Sequence, residues 1–140
     1  MGIGHIKFFS DLFSYLRTGQ SAIILKPRQC GMSNFLTNYA QYVVENWERP
    51  TTIIQPHTYG KSKIRYKVED STYTEPVFIF DEVDAIAPNQ IEDLLRGSKP
   101  YQIIGCSTTE HLNGFRKLEE CMAVLNIPYN VFNVESPKWQ

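Results

Sequence analysis

Short segments without charge, alternating with helical patterns, constrain the fold of this chain more than any other feature. The segments hold four to six mostly apolar residues each, which is typical of strands that are covered on both faces of a parallel sheet. The predicted strands are 21–25, 51–54, 77–80, 101–105 and 129–134. Apolar residues at helical spacing predict helices at 6–16, 33–48, 88–96 and 113–125. We therefore predict an α/β fold, a three-layer sandwich with a mostly parallel sheet of about five strands.

The length and composition fit one compact unit. With 140 residues, of which 42% are hydrophobic and 21% charged, the chain has enough apolar surface for one core but hardly for two. We predict a single domain over 1–140, in which 1–19 forms an amphipathic helix and 20–140 the α/β core. The formal net charge of −1 argues against a protein whose overall charge carries it onto nucleic acid or an anionic membrane.

Cysteine usage and hydropathy indicate the compartment. The three cysteines, Cys30, Cys106 and Cys121, are odd in number and lack metal-ligand spacing, so they are interpreted as thiols in a reducing environment. No apolar run is long enough to cross a membrane, and the first residues lack the pattern of a secretion signal. A cytoplasmic protein without a membrane partner is expected.

The turn after the first strand has the context of a phosphate-binding loop. Backbone N–H groups between a strand and a helix can surround an anion, and a hydroxyl at the helix start can hold Mg²⁺. Gly31 and Ser33 have the spacing of the end of a Walker A motif, but Met32 stands at its lysine position and Lys26 at its first glycine. Lys26 and Arg28 are the cations that could contact phosphate. The alternative is an ordinary strand–helix connection with incidental basic residues.

The third predicted strand ends in two carboxylates. Asp81 at the strand tip could bind Mg²⁺, and Glu82 could polarise the water that attacks a γ-phosphate. A solvated acidic turn is the alternative for this segment alone. Because a loop of phosphate-binding type and an acidic strand tip occur together, the sequence favours a nucleotide site.

Three segments resemble motifs of a known family. Residues 28–33 (RQCGMS), 77–82 (VFIFDE) and 103–109 (IIGCSTT) are similar to motifs in the ATPase domain of large terminase subunits, the DNA-packaging motors of tailed phages and herpesviruses. That family tolerates deviant Walker A loops, and some members carry the phosphate-contacting lysine at the start of the loop. The resemblance thus implies a P-loop NTPase-like fold with Lys26 as the functional lysine, which would account for Met32.

The resemblance also implies roles for individual residues, with ATP and Mg²⁺ bound. Glu82 and Lys26 would be catalytic, and Ser33 and Asp81 would hold the metal. The predicted nucleotide-binding residues are Lys26, Arg28, Gln29, Cys30, Gly31, Met32, Ser33 and Asp81. The residues that would couple hydrolysis to DNA movement are Ser107, Thr108 and Thr109, for which a hydroxyl-rich cap of the next helix is the alternative.

The implied partners are double-stranded DNA and either viral motor proteins or further copies of the chain in a ring, in the host cytoplasm. The sequence departs from the family in several places. The segment before Asp81 is short, the chain has no room for a nuclease domain, Glu110 stands where the third motif often has proline, and no arginine finger is assigned. A degenerate phage-encoded interaction or regulatory protein of the same fold is therefore the alternative function.

A basic segment is followed by an acidic one. Cations alternate with other residues at Lys61, Lys63, Arg65 and Lys67, and in a strand they would share one face at intervals of about 6.5 Å. Residues 69–93 then hold eight acidic side chains and no basic one. Such a ladder could follow a phosphate backbone, which makes a nucleic-acid-binding module a second alternative. It could equally be an edge strand protected by charge.

Overall fold

A computed structural model describes residues 3–26, 31–56, 63–68, 74–108 and 113–134, with side chains from residue 7 onward. In the described chain, helices and strands alternate, as the apolar pattern predicts. The helices are α1 (Ile3–Leu16), α2 (Met32–Trp47), α3 (Pro88–Leu95) and α4 (Asn113–Val124). The strands are β1 (Ser21–Leu25), β2 (Thr51–Ile54), β3 (Lys63–Tyr66), β4 (Val77–Phe80), β5 (Gln102–Ser107) and β6 (Tyr129–Asn133). A 3-10 turn at Val83–Ala85 follows β4.

The six strands form one sheet in the order β3-β2-β4-β5-β1-β6. All neighbours are parallel except β2 and β3, which are antiparallel. Strand β5 therefore lies between β1 and β4, the two strands whose ends carry the predicted nucleotide-binding residues. This order brings the carboxyl ends of β1, β5 and β4 side by side at one edge of the sheet.

Alternate residues along each central strand face opposite layers of helices. Ile24, Ile79 and Ile104 belong to a core with α1 and α2. Ile23 and Phe80 belong to a second core with the 3-10 turn, α3 and α4. Because both faces are covered, the central strands are continuously buried. The predicted α/β fold, a three-layer sandwich with a mostly parallel sheet, is confirmed.

The sheet has six strands where about five were predicted. The additional strand, β3, comes from the basic segment, where alternating residues are exposed and half-buried. Ile64 and Tyr66 pack beside the core that contains α1 and α2. An alternating strand at the edge of a sheet has a weaker apolar pattern than a central one, because only one of its faces is covered.

The helices match the predicted ones to within three residues at each end, and β5 and β6 differ from the predicted strands by one or two residues at their ends. Strand β5 runs two residues beyond the predicted end at Gly105, through Cys106 and Ser107, which are both fully buried. Helix α1 contributes the buried residues Leu12 and Leu16 to the core of its face. None of the helices in the described ranges has the length and apolar character needed to cross a membrane.

Candidate functional site

The predicted site residues lie where β1 and β4 end, and the sheet fixes their backbone. The Lys26 N–H donates to the Ser107 carbonyl oxygen at 3.0 Å, and the Asp81 N–H donates to the Ile54 carbonyl oxygen at 2.9 Å. Each residue thus extends the strand ladder by one position. Lys26 and Asp81 are therefore held by parallel pairing with β5 and β2, at the edge where α/β proteins bind ligands.

Ser33 and Asp81 form the first of two side-chain contacts that join the predicted site. Gly31 precedes α2 with a left-handed backbone at φ 84°, a conformation that glycine adopts without steric cost. Ser33 lies in the first turn of α2, and its Oγ donates to Asp81 Oδ2 at 2.8 Å. Asp81 is 1% exposed. Its Oδ1 is buried and has no hydrogen-bond partner among the described residues.

Lys26 and Glu82 form the second contact. Lys26 Nζ lies 2.6 Å from Glu82 Oε1, and the side chains are 5% and 19% exposed. Glu82 has a left-handed backbone at φ 55° and ψ 52°, which is unfavourable for a residue with a Cβ. Backbone strain of this kind is concentrated at functional sites. The pair is largely removed from water, so its charge-assisted hydrogen bond is much stronger than that of an exposed pair.

The residues present fit a magnesium ion. Mg²⁺ prefers oxygen ligands and uses one or two protein groups together with waters and substrate phosphates. The Ser33 hydroxyl and the Asp81 carboxylate are such ligands, and the unpartnered Asp81 Oδ1 is a buried acceptor that a cation would satisfy. The described residues include no cluster of three or more His, Cys, Asp or Glu side chains suited to a metal, and a magnesium–nucleotide site does not need one.

The structure adds one acidic residue that the sequence did not single out. Asp84 lies in the 3-10 turn after Glu82, and its Oδ2 accepts a long hydrogen bond of 3.4 Å from Thr108 Oγ1. Its Oδ1 is buried without a hydrogen-bond partner in the described chain. The sequence signal that could have identified Asp84 is its position three residues after Asp81, about one helical turn away. Thr108, a predicted coupling residue, thus contacts the acidic turn, and Ser107 beside it is fully buried.

The structure explains why position 32 need not be lysine. Met32 is 2% exposed and packs in the core of the α1 and α2 face. A lysine side chain would have to place its charge among apolar groups there or displace them. The predicted residues Arg28, Gln29, Cys30 and Thr109 lie outside the described residues.

The basic segment forms a cationic face on the edge strand. Lys63 and Arg65 in β3 and Lys67 just beyond it are exposed. Lys63 and Arg65 pair with Ile54 and Thr52, so they share one face of the sheet, as predicted. Lys61 lies outside the described residues. At the edge of the sheet, these cations can protect the strand against pairing with another chain. They are also accessible to a ligand.

A groove of about 260 Å³ lies elsewhere, between α3 and α4. It is lined by the ends of these helices, including Leu95, Cys121 and Leu125, which lead into the amino ends of β5 and β6. The groove is therefore near the opposite edge of the sheet from Asp81. Burial raises the pKa of the Cys121 thiol, which disfavours the reactive thiolate.

No protein-family model matches the chain, and no curated protein matches it. Among solved structures, it is similar to Saccharomyces cerevisiae Rif2, with a TM-score of 0.54 and 14% sequence identity. The alignment covers 98% of this chain and 58% of that chain, so the chain spans little more than half the length of this structural neighbour. At this identity the similarity concerns the fold alone.

Proposed function

We propose that the chain binds ATP with Mg²⁺ at the carboxyl ends of β1 and β4. The observation that carries the proposal is the meeting of four predicted residues in two contacts. Ser33 meets Asp81 across 48 residues of sequence, and Lys26 meets Glu82 across 56. In P-loop NTPases a loop Ser or Thr and an acidic residue at a strand tip hold the metal, and a lysine contacts the phosphates. Ser33, Asp81 and Lys26 have the chemistry and the location for these tasks.

We further propose that the site hydrolyses ATP. Glu82 follows the metal-binding Asp81 and would orient a water molecule and accept its proton as the oxygen attacks the γ-phosphorus. The bond between that phosphorus and the β–γ bridging oxygen breaks, giving ADP and inorganic phosphate. Lys26 would balance negative charge on the phosphates. Bound Mg²⁺ neutralises phosphate charge and orients the nucleotide.

Steady-state hydrolysis of Mg·ATP tests both steps of this proposal. We expect Lys26→Ala and Glu82→Gln each to lower kcat by about 100-fold or more, the usual effect of removing a charge-stabilising group or a general base. Lys7→Ala is the matched control, because Lys7 forms an exposed pair with Asp11 on α1. Equal rates in the parent and in both site variants would show that the proposed mechanism is wrong.

The proposal has two forms, which differ in whether the bound ATP is hydrolysed. A terminase-like ATPase would hydrolyse ATP, and faster with double-stranded DNA present if Thr108 couples the two activities through Asp84. A degenerate protein of the same fold would bind Mg·ATP without turnover and serve as an interaction module. Calorimetric titration detects binding in both cases, whereas phosphate release with and without DNA separates them.

The cationic face of β3 supports a second candidate function, the binding of a nucleic-acid backbone. Lys63, Arg65 and Lys67 are all exposed, and the first two share one face of the sheet. Successive residues on one face of a strand are about 6.5 Å apart, close to the spacing of phosphates along one DNA strand. None of these three cations is a residue of the proposed nucleotide site, so both functions can coexist in the chain.

A further inference from the structure

The Lys26–Glu82 pair spans the tip of a strand. In the sheet, β5 lies between β1 and β4, so the backbones that carry Lys26 and Glu82 are two strand spacings apart, about 10 Å. The two side chains reach over the end of β5 to meet at 2.6 Å. The Lys26 and Glu82 side chains are long enough for such a bridge. An aspartate at position 82 would be shorter by one carbon–carbon bond.

The pair also occupies the two groups that the nucleotide would use. The Lys26 ammonium, which would contact phosphate, is held by a carboxylate. Glu82 Oε1, which would accept a hydrogen bond from water, is held by the ammonium. Because both side chains are largely buried, neither end is readily exchanged for solvent.

The backbone of Glu82 has an uncommon conformation at the start of the 3-10 turn. Its φ of 55° and ψ of 52° lie in the left-handed region, which residues other than glycine and asparagine rarely occupy. Such conformations persist where surrounding contacts hold them. The ion pair to Lys26 and the backbone hydrogen bond from the Ala85 N–H to the Glu82 carbonyl oxygen, 2.9 Å long, are two such contacts.

We propose that the Lys26–Glu82 ion pair is an autoinhibitory latch, which a nucleotide phosphate must open before it can engage Lys26. The proposal rests on the proposed nucleotide site. When only a fraction of the molecules is open, the apparent dissociation constant is the intrinsic one divided by that fraction. Weakening the latch therefore tightens nucleotide binding. A substitution that removes the Glu82 carboxylate also removes the group that catalyses hydrolysis.

Equilibrium titration with Mg·ADP tests the latch. ADP keeps the β-phosphate that Lys26 would contact and has no γ-phosphate to hydrolyse, so tighter binding cannot arise from stopped turnover. We expect Glu82→Gln to lower the dissociation constant about tenfold, because the lysine ammonium donates a weaker hydrogen bond to a neutral amide oxygen than to a carboxylate. Glu92→Gln, which removes the same charge from an exposed pair with Arg96, is the matched control and should leave the dissociation constant unchanged.

Glu82→Asp distinguishes the latch from simple charge repulsion between a carboxylate and the phosphates. Aspartate keeps the negative charge but carries it one carbon–carbon bond closer to the backbone, so it would hold Lys26 less well across the tip of β5. The latch predicts tighter binding of Mg·ADP by Glu82→Asp as well, by about three- to tenfold. Glu82→Asp also keeps the test available if Glu82→Gln does not fold.

The outcomes separate the latch from the proposed function. Tighter binding by both variants supports the latch. Tighter binding by Glu82→Gln alone indicates charge repulsion and overturns the latch, and unchanged or weaker binding by both variants overturns it too. In these last cases the nucleotide site itself stands, because the parent protein binds Mg·ADP. If the folded parent and both variants bind neither Mg·ADP nor Mg·ATP, the proposed function and the latch both fail.

Discussion

The Tyr39 hydroxyl is the polar group that joins the end of α1 to the beginning of β5. It lies 2.9 Å from both the Leu16 carbonyl oxygen and Gln102 Oε1, in a buried position. The Gln102 side-chain amide donates to the same Leu16 oxygen at 2.9 Å and to the Gln20 carbonyl oxygen at 2.6 Å. The amide and hydroxyl thus contact the carbonyl oxygen of the last residue of α1, which also accepts from the Gly19 N–H at 2.9 Å.

We expect Tyr39→Phe to lower the free energy of unfolding by about 1–3 kcal/mol at pH 7, because it removes the hydroxyl that the buried Gln102 Oε1 contacts at 2.9 Å. Burial raises the pKa of the Tyr39 hydroxyl above its ordinary value of 10.0. Above pH 10 the unfolded chain therefore binds fewer protons than the folded one at this position, and the stability that Tyr39 contributes is lost as the pH rises.

Urea unfolding of the parent and the Tyr39→Phe variant, followed from pH 7 to pH 11, measures both effects. The difference in stability between the two proteins should shrink above pH 10. A difference that stays constant over this range would contradict the assignment of the raised pKa to Tyr39.

At the scale of residues, the sequence predicted which groups lie at the strand ends better than it predicted their contacts. Lys26, Asp81 and Glu82 were identifiable because each stands where an apolar strand ends, and that boundary is a local property. The pairing of Lys26 with Glu82 depends on β5 lying between their strands, and the contact of Asp84 with Thr108 depends on the same order. Strand order results from long-range packing, which local patterns do not encode.

At the scale of elements, the start of α4 packs tightly against the turn that carries the acidic residues. Gly114 is buried there, and a Cβ at this position would collide with the Val83 carbonyl oxygen and lie 2.7 Å from the Ile86 carbonyl oxygen. The helix can approach the turn this closely because residue 114 has no side chain. The position of the segment after Glu82 therefore depends on Gly114.

We expect Gly114→Ala to lower the free energy of unfolding by about 1–3 kcal/mol, the usual cost of forcing an atom into a packed interior. Helix propensity alone has the opposite sign, since alanine in a helix is favoured over glycine by about 1 kcal/mol. Thermal unfolding decides between the two effects. Arg116→Ala, at an exposed position of the same helix, is the control and should change stability little; a more stable Gly114→Ala protein would contradict the packing described above.

The elements themselves were largely predictable, because each long apolar or amphipathic segment forms the helix or strand that its periodicity indicates. The differences occur where tertiary packing extends or recruits a segment. Cys106 and Ser107 join β5 because neighbouring strands and helices cover them. Strand β3 joins the sheet through pairing with β2, and its charged, alternating sequence alone left open whether it was an edge strand protected by charge or a ladder that follows a phosphate backbone.

At the scale of the whole molecule, the net charge of −1 results from cancellation between groups in different parts of the sheet. The exposed cations Lys63, Arg65 and Lys67 lie on or beside the edge strand β3. Asp81, Glu82 and Asp84 follow β4, which is two strands away in the sheet. The fold class was predictable, since burial of both sheet faces is encoded in each strand. Composition could not predict the separation of charge, which depends on where the strands lie in the sheet.

If the cationic face of β3 binds a nucleic-acid backbone, the affinity for double-stranded DNA should decrease with salt. Contacts with about three phosphates give a slope near −3 in a plot of log affinity against log salt concentration. Fluorescence anisotropy with a labelled duplex measures this slope. The double variant Lys63→Ala and Arg65→Ala should reduce it by about two.

The control for this experiment removes two exposed cations from the other side of the molecule, by Lys7→Ala and Arg17→Ala in and beside α1. This variant should bind DNA like the parent. If the parent shows no binding at low salt, or if both double variants lower the slope equally, β3 serves to protect the edge of the sheet.

The strand order also determines when this protein can fold during synthesis. Strand β1 is made early, yet its partners in the sheet are β5 and β6, which belong to the last third of the chain. Until Gln102–Ser107 has left the ribosome, both edges of β1 lack their native neighbours. The backbone hydrogen-bonding groups and the apolar side chains of the strand are then not buried as in the folded protein. Such non-local pairing slows folding. Strand β1 is therefore exposed to misassociation until the ribosome has completed β5 and β6.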